Sequence, residues 1–280
     1  MRTAALAAFL LLAAPAEAAE RNYSVTSFDR IRIDGPYQVT LKTNVAPFAR
    51  ASGSQGALDG VSVNVEGRTL IVRATPGGSW GGYPGASRGP ATITVGTHEL
   101  RTVWINGAGA LFIDKVKGLS FDASIQGAGV MRVDSADVDL VKIGMSGAGS
   151  ARLAGRAAKL TANVSGTSTL DAETLAAKDA VIGAEGPVQV RASVGNTAKV
   201  NALGLASVVL AGGAACEVKA QGSASVTGSD YAIFPRPTPA RRACRKAAAA
   251  DRRRRWNRPL SKCPFPDSAS PGGPAWGPAG

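Results

Sequence analysis

From Trp104 onward, apolar and polar positions recur in fixed columns. The chain reads Ile105-Asn106-Gly107-Ala108-Gly109-Ala110-Leu111-Phe112-Ile113, then Ile125-Gln126-Gly127-Ala128-Gly129-Val130-Met131-Arg132-Val133, then Met145-Ser146-Gly147-Ala148-Gly149-Ser150-Ala151-Arg152-Leu153. The first glycine of each copy stands 20 residues after the last, and weaker copies follow at Gly166, Gly186, Gly204 and Gly222. Two positions before that glycine lie Ile105, Ile125, Met145, Val164, Ala184, Ala202 and Ala220. Four after it lie Leu111, Met131, Ala151, Leu170, Val190, Val208 and Val226. Six after it lie Ile113, Val133, Leu153, Ala172, Ala192, Leu210 and Gly228. Even spacing puts these columns on one face of a strand, and the alternate columns are mostly polar or small. A second apolar group closes each period: Leu119 with Phe121, Val138 with Leu140, Leu160, and Ala180 with Ile182.

A repeat of this length means stacked units, each too small to bury its own apolar face. The pattern predicts an all-β fold, a β-solenoid resembling a parallel β-helix, with coils of 18–20 residues. Seven coils at about 4.8 Å each would align every column into an internal ladder. Corners are expected at Gly107, Gly109, Gly127, Gly129, Gly147, Gly149 and Gly166, where close packing or a positive φ excludes a Cβ. Gly107, Gly127 and Gly147 are expected one above another. A dinucleotide fingerprint is excluded, because it needs its glycines between a strand and a helix.

Upstream, Phe28, Ile31 and Ile33, then Tyr37, Val39 and Leu41, then Val61, Val63 and Val65 alternate with polar residues. They predict irregular N-terminal strands bounded by glycine turns, without helix-spaced apolar positions. Thr75 to Pro90 reads as a Gly/Pro/Ser loop carrying Trp80 and Tyr83. Those rings either stack on a sugar or partner surface or fold back on the solenoid.

Composition changes the picture at both ends. Met1 to Ala18 has Arg2, an apolar run from Ala4 to Ala14, and Ala16-Glu17-Ala18 as a small-x-small site, the pattern of a signal peptide. The run is too short for a membrane span. An extracytoplasmic protein is expected, periplasmic or on the cell surface of a Gram-negative-type bacterium. The net charge is +12. From Pro235 onward, 11 Lys and Arg face 2 Asp, so the tail carries +9 and the rest +3. Residues 235–280 read as a disordered, Pro/Ala/Arg-rich tail. Three readings of it stay open: a basic arm for anionic surfaces, a solvated tail without a role, or an out-of-frame end. Three cysteines, Cys216, Cys244 and Cys263, leave one over after any pairing. Cys216 with Cys244 would tie the tail to the last coils.

Phe28-Asp29-Arg30-Ile31-Arg32-Ile33-Asp34-Gly35-Pro36-Tyr37-Gln38-Val39, then Leu58-Asp59-Gly60-Val61 leading to Leu70-Ile71-Val72, then the Gly-Ala-Gly coils together resemble the "putative auto-transporter adhesin, head GIN domain" family of bacterial envelope proteins. The resemblance covers about residues 28–228 and implies a β-solenoid with an adhesin-like role. The alternating ten-residue strands of a C-terminal membrane barrel are not in the sequence.

Candidate chemistry is sparse. His98 is the single histidine and reads as a surface residue. No Cys/His spacing fits zinc, and no cofactor is expected. Asp114 and Asp134 share a column one coil apart, with Asp137 and Asp139 nearby. Clustered carboxylates cleave polysaccharides in some enzymes, and oxygen ligands of this kind also hold calcium. Solvated strand-end carboxylates are the simpler reading. The expected function is therefore a non-enzymatic interaction or envelope-structural protein. The alternative is a carbohydrate-binding or carbohydrate-cleaving solenoid using Asp114 and Asp134. Expected partners are an envelope polymer, glycan or protein, a second copy through the open solenoid edges, and anionic surfaces for the tail. No specific nucleic acid is expected.

Overall fold

The computed structural model describes residues 19–75 and 91–228. The chain divides into two units, Met1–Ile233 and Phe234–Gly280, and every described residue lies in the first. Residues 1–18, read above as a signal peptide, together with Trp80, Tyr83, Cys244, Cys263 and the basic stretch 235–280, lie outside the described residues.

The repeat forms a β-solenoid of about six turns. Its strands are β8 (Thr102–Asn106), β9 (Ala110–Ile113), β10 (Val116–Gly127), β11 (Val130–Gly147), β12 (Ser150–Gly166), β13 (Thr169–Glu185), β14 (Gln189–Gly204), β15 (Ser207–Ala211), β16 (Ala215–Gly222) and β17 (Ser225–Gly228). Each coil has three walls. The first wall leads into the corner glycine, the second follows it, and the third returns to the start. Walls of successive coils pair in parallel, as in Ile125↔Met145↔Val164↔Ala184↔Ala202. Backbone hydrogen bonds thus run between coils, which satisfies the polar groups of every interior strand.

The inward columns are closed to water. Ile105, Ile125, Met145, Val164, Ala184 and Ala202 are 0–3% exposed. Their volume falls along the stack, and so does the coil. Leu170 pairs with Val190, a step of 20, whereas Ala184 pairs with Ala202, a step of 18. The two residues are lost in the third wall, where the register shifts between Ala172 and Asp179.

Corner geometry explains the glycine pair. Gly147 has φ +110°, and a Cβ there would stand 2.7 Å from the carbonyl oxygen of Gly127 beneath it. Gly149 is buried with ordinary φ; its Cβ would meet Ile125 Cγ2 at 2.9 Å and the Gly129 oxygen at 3.0 Å. The first glycine turns the chain and the second lets the next coil settle. Gly127 sits on Gly107, Gly147 on Gly127, and Gly166 on Gly147.

Two expected packing positions differ. Leu119 is 79% exposed rather than interior, because Gly118 at φ +144° bends β10 there and the ladder passes from Gly118↔Val138 to Ser120↔Leu140. Phe121 fills the core instead, and Leu140 is half-buried. At the far end Ala220 pairs in register with Ala202 but is exposed, since among the described residues β16 pairs with β14 alone.

The N-terminal strands are β1 (Ala19–Tyr23), β2 (Arg30–Asp34), β3 (Gln38–Thr43), β4 (Phe48–Gly53), β5 (Val61–Glu66), β6 (Thr69–Ala74) and β7 (Thr92–Thr97). They form a coil out of sequence order. β2 lies parallel between β6 and β8, and β3 between β7 and β9. Antiparallel β5 on β6, and β4 on β7 with β1 on β4, then end the parallel stack. A five-residue helix not expected from the pattern, α1 (Gln55–Asp59), joins them. Ser54 caps it by accepting from the Ala57 amide, and Leu58, 1% exposed, plugs the core.

Asp29 holds the inserted coil. It stands just before β2, as Arg68 does before β6 and Arg101 before β8. Its amide donates to the Arg68 carbonyl at 3.2 Å, and its own carbonyl accepts from the Arg101 amide at 2.7 Å. Its 4%-exposed carboxylate meets Arg68 Nη2 at 3.0 Å and Arg101 Nε at 3.9 Å. Farther along, Asp137 and Arg156 tie neighbouring third walls through two hydrogen bonds of 2.7 and 3.0 Å. The Arg156 bond holds the Asp137 carboxyl below the usual carboxylate range. A depressed folded value stabilises above the unfolded value and is lost as pH falls through the folded one.

Gly147→Ala should lower the unfolding free energy by about 1–3 kcal/mol, from strain and clash, in a urea melt. Gly144→Ala, a strand glycine with ordinary φ, should not lower it in the same melt. Asp29→Asn keeps the shape but removes the charge between two arginines, and should cost about 1–3 kcal/mol. Carbon-13 NMR should find the Asp137 carboxyl titrating below the ordinary range of about pH 4, and Arg156→Gln should return it there.

Candidate functional site

The outward columns of the first wall line a concave surface. In a strand, side chains next to inward residues point outward. One column outside this wall runs Ile71, Arg32, Trp104, Ser124, Gly144, Asn163, Gly183 and Asn201, each paired with the next across the stack. Beside it run Asp34, Asn106, Gln126, Ser146, Ser165, Glu185 and Leu203. The middle of this surface is an open trough of about 470 Å³ between Ser124 and Leu203. A second hollow, about 460 Å³, holds Arg32, Glu66, Thr69, Ile71, Trp104 and Asn106. Gln126 lines both.

Trp104 is half-exposed in the second hollow. Arg32 lies on one side of it, and Ser124 and the trough floor on the other. The charges at the Trp104 end are already engaged. Arg32 Nε meets an Asp34 carboxylate oxygen at 2.9 Å, and Asn106 Nδ2 donates to Asp34 at 2.6 Å. On the rim, Lys142 stands 3.9 Å from Asp122. Glu185 is the one ionisable group lining the main trough.

The floor is recessed where two of its positions, Gly144 and Gly183, carry no side chain. At Gly183, a Cβ would stand 2.8 Å from the Asn163 side-chain oxygen, which lies across it. At Gly144, no described atom lies within 4 Å of where a Cβ would stand. The amides of Gln126, Asn163 and Asn201 make no side-chain hydrogen bond among the described residues. They offer both donors and acceptors to whatever enters.

The residues singled out from sequence fall elsewhere. Gly107, Gly127, Gly147 and Gly166 form the corner ridge beside the trough, with Gly109, Gly129 and Gly149 beneath it. Asp114 accepts from the Thr43 amide at 3.0 Å and from the Lys115 amide at 2.5 Å. Asp134 meets Arg132 Nε at 2.6 Å. Each carboxylate is thus held by its own surroundings. His98 is exposed. Among the described residues, no group of three or more His, Cys, Asp or Glu is placed to hold a metal ion, and no helix is long and apolar enough to cross a membrane. Trp104 was legible only as the residue that opens the repeat. Its parity relative to Ile105 signals that it points outward.

The fold agrees with what the chain is similar to. Among solved structures, a putative adhesin from Bacteroides fragilis superposes with a TM-score of 0.66 at 16% identity, covering 76% of this chain and 98% of that one. A protein from Parabacteroides distasonis described as a putative lipid binding protein gives 0.59 at 16% identity, covering 77% and 98%. A putative adhesin from Parabacteroides merdae gives 0.57 at 14% identity, covering 77% and 97%. At these identities the likeness is one of fold. No curated protein matches the sequence. A sequence profile matches residues 27–214, most of the described solenoid, and on that match the chain belongs to the family described as "putative auto-transporter adhesin, head GIN domain".

Proposed function

We propose that this protein works outside the cytoplasm as an adhesin-like contact protein, without catalysing a reaction, and that the trough on the first wall is its contact surface. One observation carries the reading: an open trough lined by the amides of Gln126, Asn163 and Asn201, which make no side-chain hydrogen bond among the described residues, with a half-exposed tryptophan where it nears the second hollow. A rigid stacked wall offers many weak contacts at fixed spacing, and weak contacts presented together bind without new chemistry. The adhesin description of the family and the signal-peptide pattern of residues 1–18 support the placement. The engagement of Asp114 with backbone amides and of Asp134 with Arg132 supports a non-enzymatic reading. A general acid–base pair needs carboxyls that face a common substrate.

The trough and the basic tail make opposite demands on salt. Contact through +9 of tail charge weakens as salt screens it, whereas contact through neutral polar groups persists. Co-sedimentation of the full chain with a bacterial envelope fraction should therefore survive about 1 M salt, where the screening length is about 3 Å. Trp104→Ala should reduce it. Binding that vanishes with salt and ignores Trp104 would assign the contact to the tail instead.

A further inference from the structure

We infer that the trough takes an uncharged glycan chain laid along the solenoid axis, with a pyranose ring on Trp104 and hydroxyls on Gln126, Asn163 and Asn201. This rests on the contact reading above and adds the ligand's chemical class.

Gly144 is the starting point. A glycine inside a strand weakens it, because it has no side chain to pack and more freedom to lose. The corner glycines are explained by positive φ or by the coil beneath. Gly144 has neither reason: its φ is ordinary, and no described atom approaches the position of its Cβ. It sits mid-wall between Ser124 and Asn163. A residue that serves the fold poorly at a concave surface fits a site that something approaches closely.

The lining then selects the ligand. Extended peptides bind sheets by adding to an open edge, and the trough wall has none, since each of its strands is paired on both sides. Polyanions find no excess positive charge: Arg32 is engaged by Asp34, and Glu185 repels them. Lipid chains need an apolar floor, and the outward positions here are Ser124, Gly144, Asn163, Gly183 and Asn201, with Leu203 the one large apolar outward side chain, at one end. What remains complementary is a molecule rich in hydroxyls that both donate and accept, with an apolar ring face. Amide side chains match the hydroxyls. The half-exposed Trp104 ring presents an apolar body for the ring face. Five layer steps separate Trp104 from Asn201, roughly 24 Å at about 4.8 Å each, so the site suits a short run of sugars rather than one.

The test is a binding panel with the full chain: neutral oligosaccharides, uronate and sulfated oligosaccharides, and vesicles of phosphatidylcholine with phosphatidylglycerol. The variants are Trp104→Ala and Gly144→Val. Binding should be confined to neutral oligosaccharides, fall about tenfold in Trp104→Ala, and vanish in Gly144→Val while its melting temperature is kept or raised. Neutral-glycan binding unchanged in both variants would overturn the site. Binding only to acidic glycans or to vesicles would overturn the ligand class. If both variants lose envelope binding but no neutral glycan binds, the contact surface stands and the glycan assignment falls. If envelope binding ignores both variants, the contact reading falls and this inference with it.

Discussion

Everything in this molecule depends on one coil lying directly on another in parallel register. At a spacing of about 4.8 Å, the corner of each coil meets the corner below it backbone to backbone. The Gly147 amide region stands over the Gly127 carbonyl, and Gly166 over Gly147, with no room for a Cβ between. Relaxing that contact would tilt the coil, break the ladder hydrogen bonds of all three walls, and open the inner columns to water. The repeated glycines are thus the condition for the ladder.

The inner ladder and the coil length change together. As the interior goes from Ile125 and Met145 to Ala184 and Ala202, the coil shortens from 20 to 18 residues. The stack is also finished differently at its two ends. At the N-terminal end, antiparallel β4 and β5 close it, and Asp29 pins an inserted coil between Arg68 and Arg101. At the other end β16, among the described residues, pairs on one side only, and Ala220 is exposed.

How much of this was legible in the sequence follows from which relations are local. Column parity is local, so Ile105, Leu111 and Ile113 could be placed inside from their spacing alone. Which coil lies next to which is not local. Ile31 and Ile33 carry the same alternation wherever β2 sits, so nothing in their spacing shows that it lies between β6 and β8. Leu119 was misread because Gly118 breaks the parity that the rest of the coil keeps. The helix at Gln55–Asp59 is too short to show a period. The trough was hidden for a related reason. Gly144 and Gly147 look alike in a sequence, yet one turns a corner and the other leaves a wall bare.

That difference joins structure to function. Corner glycines let the coils stack, and stacking aligns the outward columns into straight rows. One row carries Trp104, a bare step at Gly144, and amides that the protein itself leaves unused. The most direct check is a nitrogen-15 NMR titration of the full chain with a neutral oligosaccharide, following the Trp104 indole and the side-chain amides of Gln126, Asn163 and Asn201. Shifts concentrated on those groups are the predicted result. Shifts confined to the second or third wall, or to the basic tail, would contradict it.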